Sequence, residues 1–234
     1  MVQDVVSNLD SIGLFKALSQ RERDELSRQC RFRRYVSGEH IIDGQSASRD
    51  VYFVVSGIVR VVNYSASGRE VAFDDITAGG YFGELSALDG APRSAFVQAQ
   101  HAEAVTAAMP YEVFLDLLSK NPIVGLEIMK RLARIVRQST ERIMDLSTVA
   151  ANNRIHAEIL RQALASTTDG KQAVISPIPL HSDIASRVST TRETVARVLS
   201  ELTREGLLQR KKNALVVLDI HRLAQMVEDV RGNF

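Results

Sequence analysis

The sequence predicts an α+β chain in three parts: an N-terminal β jelly roll over residues 1–109, a long helix with a hinge over 110–150, and a C-terminal winged helix-turn-helix over 151–234. Three observations carry this. Short β-branched and aromatic runs recur between about Arg31 and Met109, with turn signals roughly ten residues apart. An uninterrupted apolar repeat follows Pro122. Two short helical segments joined by a polar turn then precede a basic hairpin near the C-terminus.

The first thirty residues are helical in character, and Ser19 opens a charged, capped helix. Strand signals begin after Arg31. The run from Val51 to Tyr64 is β-rich and broken at Gly57, and a polar turn at Ser65–Gly68 leads into a return strand from Glu70 to Asp74. Further strands are expected at Ala95–Ala99 and Ala104–Ala108. After Pro122, the residues Gly125, Met129, Leu132, Val136, Ser139, Ile143, Leu146 and Ala150 recur at alternating spacings of four and three, a heptad seam. Polar residues flank it, so the helix is expected to pair with its own copy, the alternative being a helix packed on its own domain. Ser139 interrupts the seam, with Thr140 beside it. Asn152 or Asn153 is placed to cap the next helix, from about Arg154 to Leu164.

Composition narrows the function. The 234 residues carry 29 Lys and Arg against 28 Asp and Glu, but residues 150–234 hold 12 basic and 9 acidic side chains, so a polyanion is expected to meet the C-terminal third. One cysteine, Cys30, excludes an intrachain disulfide framework and a four-cysteine zinc or iron–sulfur site. The N-terminus lacks a secretory pattern and no apolar stretch is long enough to span a bilayer, so a cytoplasmic chain without a membrane partner is expected. Paired carboxylates or a His/Asp cluster of catalytic spacing are not found, so an enzyme is not expected, nor a metal site.

Two motifs carry chemistry. In the first, a helix from Ser182 to Arg187 is followed by a polar turn, and Thr191 caps a second helix whose apolar face is Val195, Val198, Leu199 and Leu202. Arg192, Glu193 and Arg197 lie on its outer face with Thr194. Arginine reads guanine O6 and N7 bidentately and glutamate accepts from cytosine N4, so this end is expected to enter the major groove. Arg210, Lys211 and Lys212 at the wing tip suit phosphates. The competing explanation is a solvated face with a Glu193–Arg197 pair. In the second motif, Gly79–Ala95, glycines precede a short helical segment, Arg93 is placed to neutralise a phosphate with Ser94 donating, and Glu84 to accept from a sugar hydroxyl. Here the competing explanation is a Glu84–Arg93 ion pair that ties the loop.

Together these residues resemble the CRP/FNR family of bacterial transcription regulators over essentially the full chain, and within it the cyclic-AMP receptor branch. The segment Phe82–Leu88 with Pro92–Val97 is similar to that family's phosphate-binding cassette. The resemblance implies that Gly83, Glu84, Leu85 and Ser86 face the ribose end and that Arg93 and Ser94 hold the cyclic phosphate. It places Ser139 and Thr140 on the purine, one from each subunit of a homodimer. Thr191–Arg197 is similar to recognition helices that read TGTGA half-sites, with Ser182, Lys211 and Lys212 as further DNA contacts. Cyclic AMP is the implied effector and RNA polymerase an implied partner. A family member that ignores ligand or uses a different effector is the alternative. Four departures matter. The Ser139–Thr140 order is reversed relative to the best-known member, which makes cyclic GMP a serious candidate, and Ile135 replaces an arginine that contacts ligand. Ala150 replaces a capping aspartate, and Ser189 replaces the usual turn glycine, so that turn is expected to be strained or shifted. One cysteine cannot ligate an oxygen-sensing cluster, and only His101 lies near the cassette for a haem.

Overall fold

The computed structural model describes residues 8–44, 46–166 and 171–231. The chain divides into two compact units, residues 1–134 and 135–234. This division falls inside the long helix, whereas the sequence pattern places boundaries after 109 and 150.

The first unit opens with a 3-10 turn at Gly13–Phe15 and helix α1 (Gln20–Gln29). Ser19 and Glu22 form a reciprocal capping box there: the Ser19 N–H donates to Glu22 Oε2 at 2.8 Å and the Glu22 N–H to Ser19 Oγ at 3.4 Å. Strands β1 (Arg31–Tyr35), β2 (His40–Ile42), β3 (Val51–Ser56), β4 (Ile58–Tyr64), β5 (Glu70–Thr77) and β6 (Tyr81–Phe82) follow, then the short helix α2 (Glu84–Asp89), β7 (Phe96–Ala99) and β8 (Ala104–Met109). They form two antiparallel four-stranded sheets, β1-β8-β3-β6 and β2-β7-β4-β5, the jelly roll anticipated from the strand spacing. The break at Gly57 is the β3–β4 turn. Its φ of +82°, and the Glu103 carbonyl oxygen that a side chain here would strike, leave room for glycine alone. Val54, Val59, Ile76, Phe82, Val97 and Ala99 pack the space between the sheets. A second cluster joins Phe15, Leu26, Phe53 and Met109 to Phe114 and Leu117 of α3 (Tyr111–Lys120) and to Val124 and Ile128 of α4 (Pro122–Thr148).

Only the first turns of α4 are buried. Along the heptad seam Met129, Val136, Ile143 and Leu146 are 60%, 64%, 63% and 43% exposed.

The second unit contains α5 (Ala151–Ser166), β9 (Ala173–Ile175), α6 (His181–Val188), α7 (Arg192–Arg204), β10 (Leu208–Arg210), β11 (Leu215–Val217) and α8 (Ile220–Arg231). Ile155, Ile159, Ile184, Val195, Val198, Leu202 and Leu223 form its core. Three expectations need correction. The wing is three-stranded, in the order β10-β11-β9, because Ala173–Ile175 pairs with β11. Helix α5 begins at Ala151, which puts Asn152 and Asn153 inside its first turn and not at its cap. Helix α8 is an element the sequence pattern was not read as holding.

Candidate functional site

In the first unit, strand β6 delivers the chain into Gly83, whose φ of +83° turns it directly into α2. A side chain is sterically unwelcome there: a Cβ would lie 2.8 Å from Arg93 Nη1 and 3.0 Å from the Asp50 carbonyl oxygen. The guanidinium that this glycine admits is held by main-chain oxygens. Arg93 Nη1 donates to the Gly83 carbonyl at 2.9 Å, and Nη2 donates to the Asp50 carbonyl at 2.8 Å and to Ser48 Oγ at 3.3 Å. Those oxygens, and not an ion pair with Glu84, position the arginine. Arg93 is 7% exposed, and its buried Nε has no hydrogen-bond partner. Neutral carbonyls satisfy donors without cancelling charge, so an anion is what this buried cation lacks.

Glu84 opens α2 and is 5% exposed. Burial pushes its carboxyl pKa up, while the Arg131 guanidinium, its own backbone N–H and Arg93 pull it back. Arg131 comes from α4 and lies over the Tyr81 ring at 4.3 Å. Ser86 is buried in the same helix, whereas Leu85 and the Ser94 side chain face outward. The Ser94 carbonyl accepts from Asn63 Nδ2 at 3.1 Å. Gly83, Glu84, Ser86 and Arg93 are therefore brought together as a cleft wall with a fixed cation and a buried carboxyl. Sequence reasoning missed Ser48, Asp50 and Arg131. The last had a signal: it stands one helical turn before Ile135, on the same face of α4.

Ser139 and Thr140 stand on an exposed stretch of α4 in the second unit, where the Thr140 hydroxyl donates to the Val136 carbonyl at 3.0 Å.

Also in the second unit, Thr191 caps α7, its Oγ1 accepting from the Thr194 N–H at 3.2 Å. Arg192 and Glu193 project from the exposed first turn. The Glu193 backbone N–H and the Thr191 hydroxyl hold the Glu193 carboxyl below its ordinary pKa. Arg197 is exposed and donates to Glu201 Oε1 at 3.0 Å and to Asn152 Oδ1 at 2.9 Å. It pairs one turn onward, and not with Glu193. Ser182 is half-buried in α6, and Lys211 and Lys212 are exposed at the wing tip. Ser189 adopts φ +53°, the strained alternative for this turn. Two arginines hold its neighbourhood. Arg142 Nη2 donates to the Arg187 carbonyl at 3.0 Å, and Arg154 donates to the Val188, Ser189 and Val149 carbonyls at 3.0, 3.4 and 2.7 Å.

Burial raises the Cys30 thiol to about 12, which keeps it protonated and inert. His101 sits in the β7–β8 loop with φ +63°. Among the described residues no helix is long and apolar enough to cross a membrane.

Two family models match the chain: a cyclic nucleotide-binding domain over residues 32–121 and a Crp-like helix-turn-helix domain over 141–226, together most of its length. The chain is 28% identical over 193 residues to the cAMP-activated global transcriptional regulator CRP of Salmonella typhimurium, covering 80% of this chain and 90% of that one. It is 29% identical over 220 residues to the cyclic AMP receptor protein of Thermus thermophilus, covering 93% and 95%. Among solved structures, a CooA mutant from Carboxydothermus hydrogenoformans shares the fold, with a TM-score of 0.79 at 21% identity over 94% of this chain and 97% of that one.

Proposed function

The chain belongs to the CRP/FNR family of cyclic-nucleotide-binding, DNA-binding transcription regulators, and from that premise we propose that it is a homodimer switched by cyclic AMP or cyclic GMP. The observation that carries the ligand side is the buried Arg93, with its orphaned Nε, beside the buried Glu84. Arg93 takes the cyclic phosphate, with Ser94 donating to it. Glu84, acceptor-only once ionised, takes a ribose hydroxyl. Gly83, Leu85 and Ser86 shape the ribose end. Arg131 stands in for the arginine absent at Ile135, its charge offsetting part of the burial that raises the Glu84 carboxyl pKa.

The exposed seam from Met129 to Leu146 supports pairing of two copies of α4. Ser139 and Thr140 then contact the purine, one from each subunit. A ligand shifts an equilibrium only by its differential affinity for the two states, and these residues supply the difference. Arg142 and Arg154 carry it onward, because they tie α4 and α5 to the carbonyls that end α6. The two recognition helices then fit successive major grooves, about 34 Å apart. On TGTGA-like halves, Arg192 and Arg197 read guanine and Glu193 reads cytosine, with Thr191 and Thr194 on the same turn. Ser182, Lys211 and Lys212 contact phosphates. Arg197 must leave Glu201 and Asn152 to do so.

The deciding experiment is fluorescence anisotropy of a near-palindromic operator titrated with protein, alone and with cyclic AMP or cyclic GMP, alongside sedimentation velocity. The expected result is a dimer whose operator affinity rises at least tenfold with one of the two nucleotides. A monomer, or equal affinity with and without both, refutes the proposal.

A further inference from the structure

The β4–β5 hairpin carries a bulge. Val61 pairs with Asp74 and Val62 with Ala72, so Phe73 is the extra residue of the bulge. Alternation along β5 then determines which way the acidic pair points. Asp75 lies on the outer face of the sheet, where it holds the buried Arg60 through hydrogen bonds of 2.7 and 2.9 Å. Ile76 lies on the opposite face, inside the core between the sheets. Asp74 shares that inner face with Ile76. A carboxylate on the inner face of a jelly roll is out of place unless the sheets part there, and they do: Asp74 is exposed. Val61 sets Asp74 in one cross-strand row with Val97 and Ile42, and the Ile42 Cδ1 lies 3.3 Å from where a Cβ on Gly83 would stand, so Asp74 shares the side of the sheet that meets Gly83 and α2, and its charge is felt by the buried Glu84. Phe73 beside Asp74 in the bulge is an apolar ring, 52% exposed. The independent sign that this opening receives a ligand is Arg93, more than nine-tenths buried with Nε unpartnered.

Resting on the proposal that a cyclic purine monophosphate occupies this cleft, we infer that Asp74 reads the base and selects guanine over adenine. Guanine presents two donors side by side on its Watson–Crick edge, the N1–H and the 2-amino group. A carboxylate is acceptor-only and accepts both in the bidentate manner it shows towards arginine. Adenine presents an acceptor at N1 beside the 6-amino donor, so its N1 lone pair faces a carboxylate oxygen. Each such mismatch leaves polar groups unpaired, and for that reason discriminates more strongly than a change in apolar contact. Phe73 offers the purine an apolar face next to that edge.

Calorimetric titration of the full-length protein with cyclic GMP, cyclic AMP and cyclic IMP tests this. Hypoxanthine keeps N1–H and lacks the 2-amino group, so the inosine nucleotide isolates one of the two hydrogen bonds. Wild type is expected to bind cyclic GMP at least about tenfold more tightly than cyclic AMP, with cyclic IMP between them. Asp74→Asn, whose amide rotates to suit either base, brings cyclic GMP and cyclic AMP within about threefold of each other. Coincident thermal melts of the two proteins establish that the variant is folded, and Asp74→Ser supplies a second variant if they do not coincide. Wild-type preference for cyclic AMP, or an equal loss for both nucleotides in the variant, overturns the assignment to Asp74. Failure of all three nucleotides to bind overturns the cyclic-nucleotide proposal beneath it as well, so the two failures are told apart.

Discussion

Gly83→Ala probes the point where fold and site meet, and its cost can be worked from the structure. At φ +83° an alanine incurs about 1–2 kcal/mol of left-handed strain. Its Cβ also arrives 2.8 Å from Arg93 Nη1 and 3.0 Å from the Asp50 carbonyl oxygen. The carbonyl belongs to the backbone just before β3, so the guanidinium is what moves. Moving it breaks the 2.9 Å bond to the Gly83 carbonyl and strands a buried donor, worth roughly a further 1–3 kcal/mol. The control is Gly68→Ala, at φ +76° in a turn where an added Cβ meets nothing within 4 Å. It bears the same backbone strain and touches no part of the cleft.

Urea denaturation of both variants is therefore expected to show Gly83→Ala losing about 1–3 kcal/mol more than Gly68→Ala. In calorimetry with the preferred cyclic nucleotide, Gly83→Ala falls at least about tenfold in affinity through a weakened charge-assisted bond to the phosphate, while Gly68→Ala stays at wild type. Equal losses for the two alanines, or undiminished affinity in Gly83→Ala, would show that the glycine does not make room for Arg93 and that Arg93 does not hold the anion.

Ser189→Gly relieves φ +53° in the helix-turn-helix turn and raises the melting temperature of the DNA-binding unit by an amount corresponding to about 1 kcal/mol, with Ser189→Ala gaining nothing. A melting temperature unchanged by the glycine rules out stored strain there. For pH, burial raises the Glu84 pKa, so the folded state holds the proton longer than the unfolded one. Stability attributable to this group falls as pH rises from the ordinary 4.5 through the raised value, whereas nucleotide affinity, which needs the carboxylate, rises over the same interval. Glu84→Gln flattens both, and denaturation and calorimetry across a pH series that show unaltered slopes would remove Glu84 from the site. Arg192→Ala costs roughly 1–3 kcal/mol and relaxes preference at a single base pair. Equal weakening on every operator sequence in a competition assay would make it a phosphate contact.

What the sequence made legible depended on whether a feature was local. Gly83, Glu84 and Arg93 sit within eleven residues of one another, so the spacing itself marked them as one motif. Besides the Gly83 carbonyl, the oxygens that steady Arg93 come from Ser48 and Asp50, more than forty residues away, and nothing near those positions marks them as anchors. Asp74 was hidden differently. Read as a plain return strand, Glu70–Asp74 gives no reason to put a carboxylate on the inner face, and only the register with its bulge at Phe73 sets Asp74 opposite Val61. Helix α8 was overlooked although its signal was present: the Arg222 N–H donates to Asp219 Oδ1 at 2.9 Å, and Ile220, Leu223 and Val227 follow at helical spacing. Ala173–Ile175 was unreadable as a strand, because three residues carry no period and the pairing with Leu215–Val217 crosses about forty positions. Ser189 shows the opposite relation. Its sequence said only that a glycine was missing, and the structure shows the αL turn kept despite the serine, braced by Arg154 on the carbonyls of Val188 and Ser189. A turn that stays strained because an arginine at the head of α5 braces it is a turn whose geometry answers to α5. In the proposed switch, the residue left ambiguous by local rules is therefore the one through which a movement of α5 would reach the start of α7.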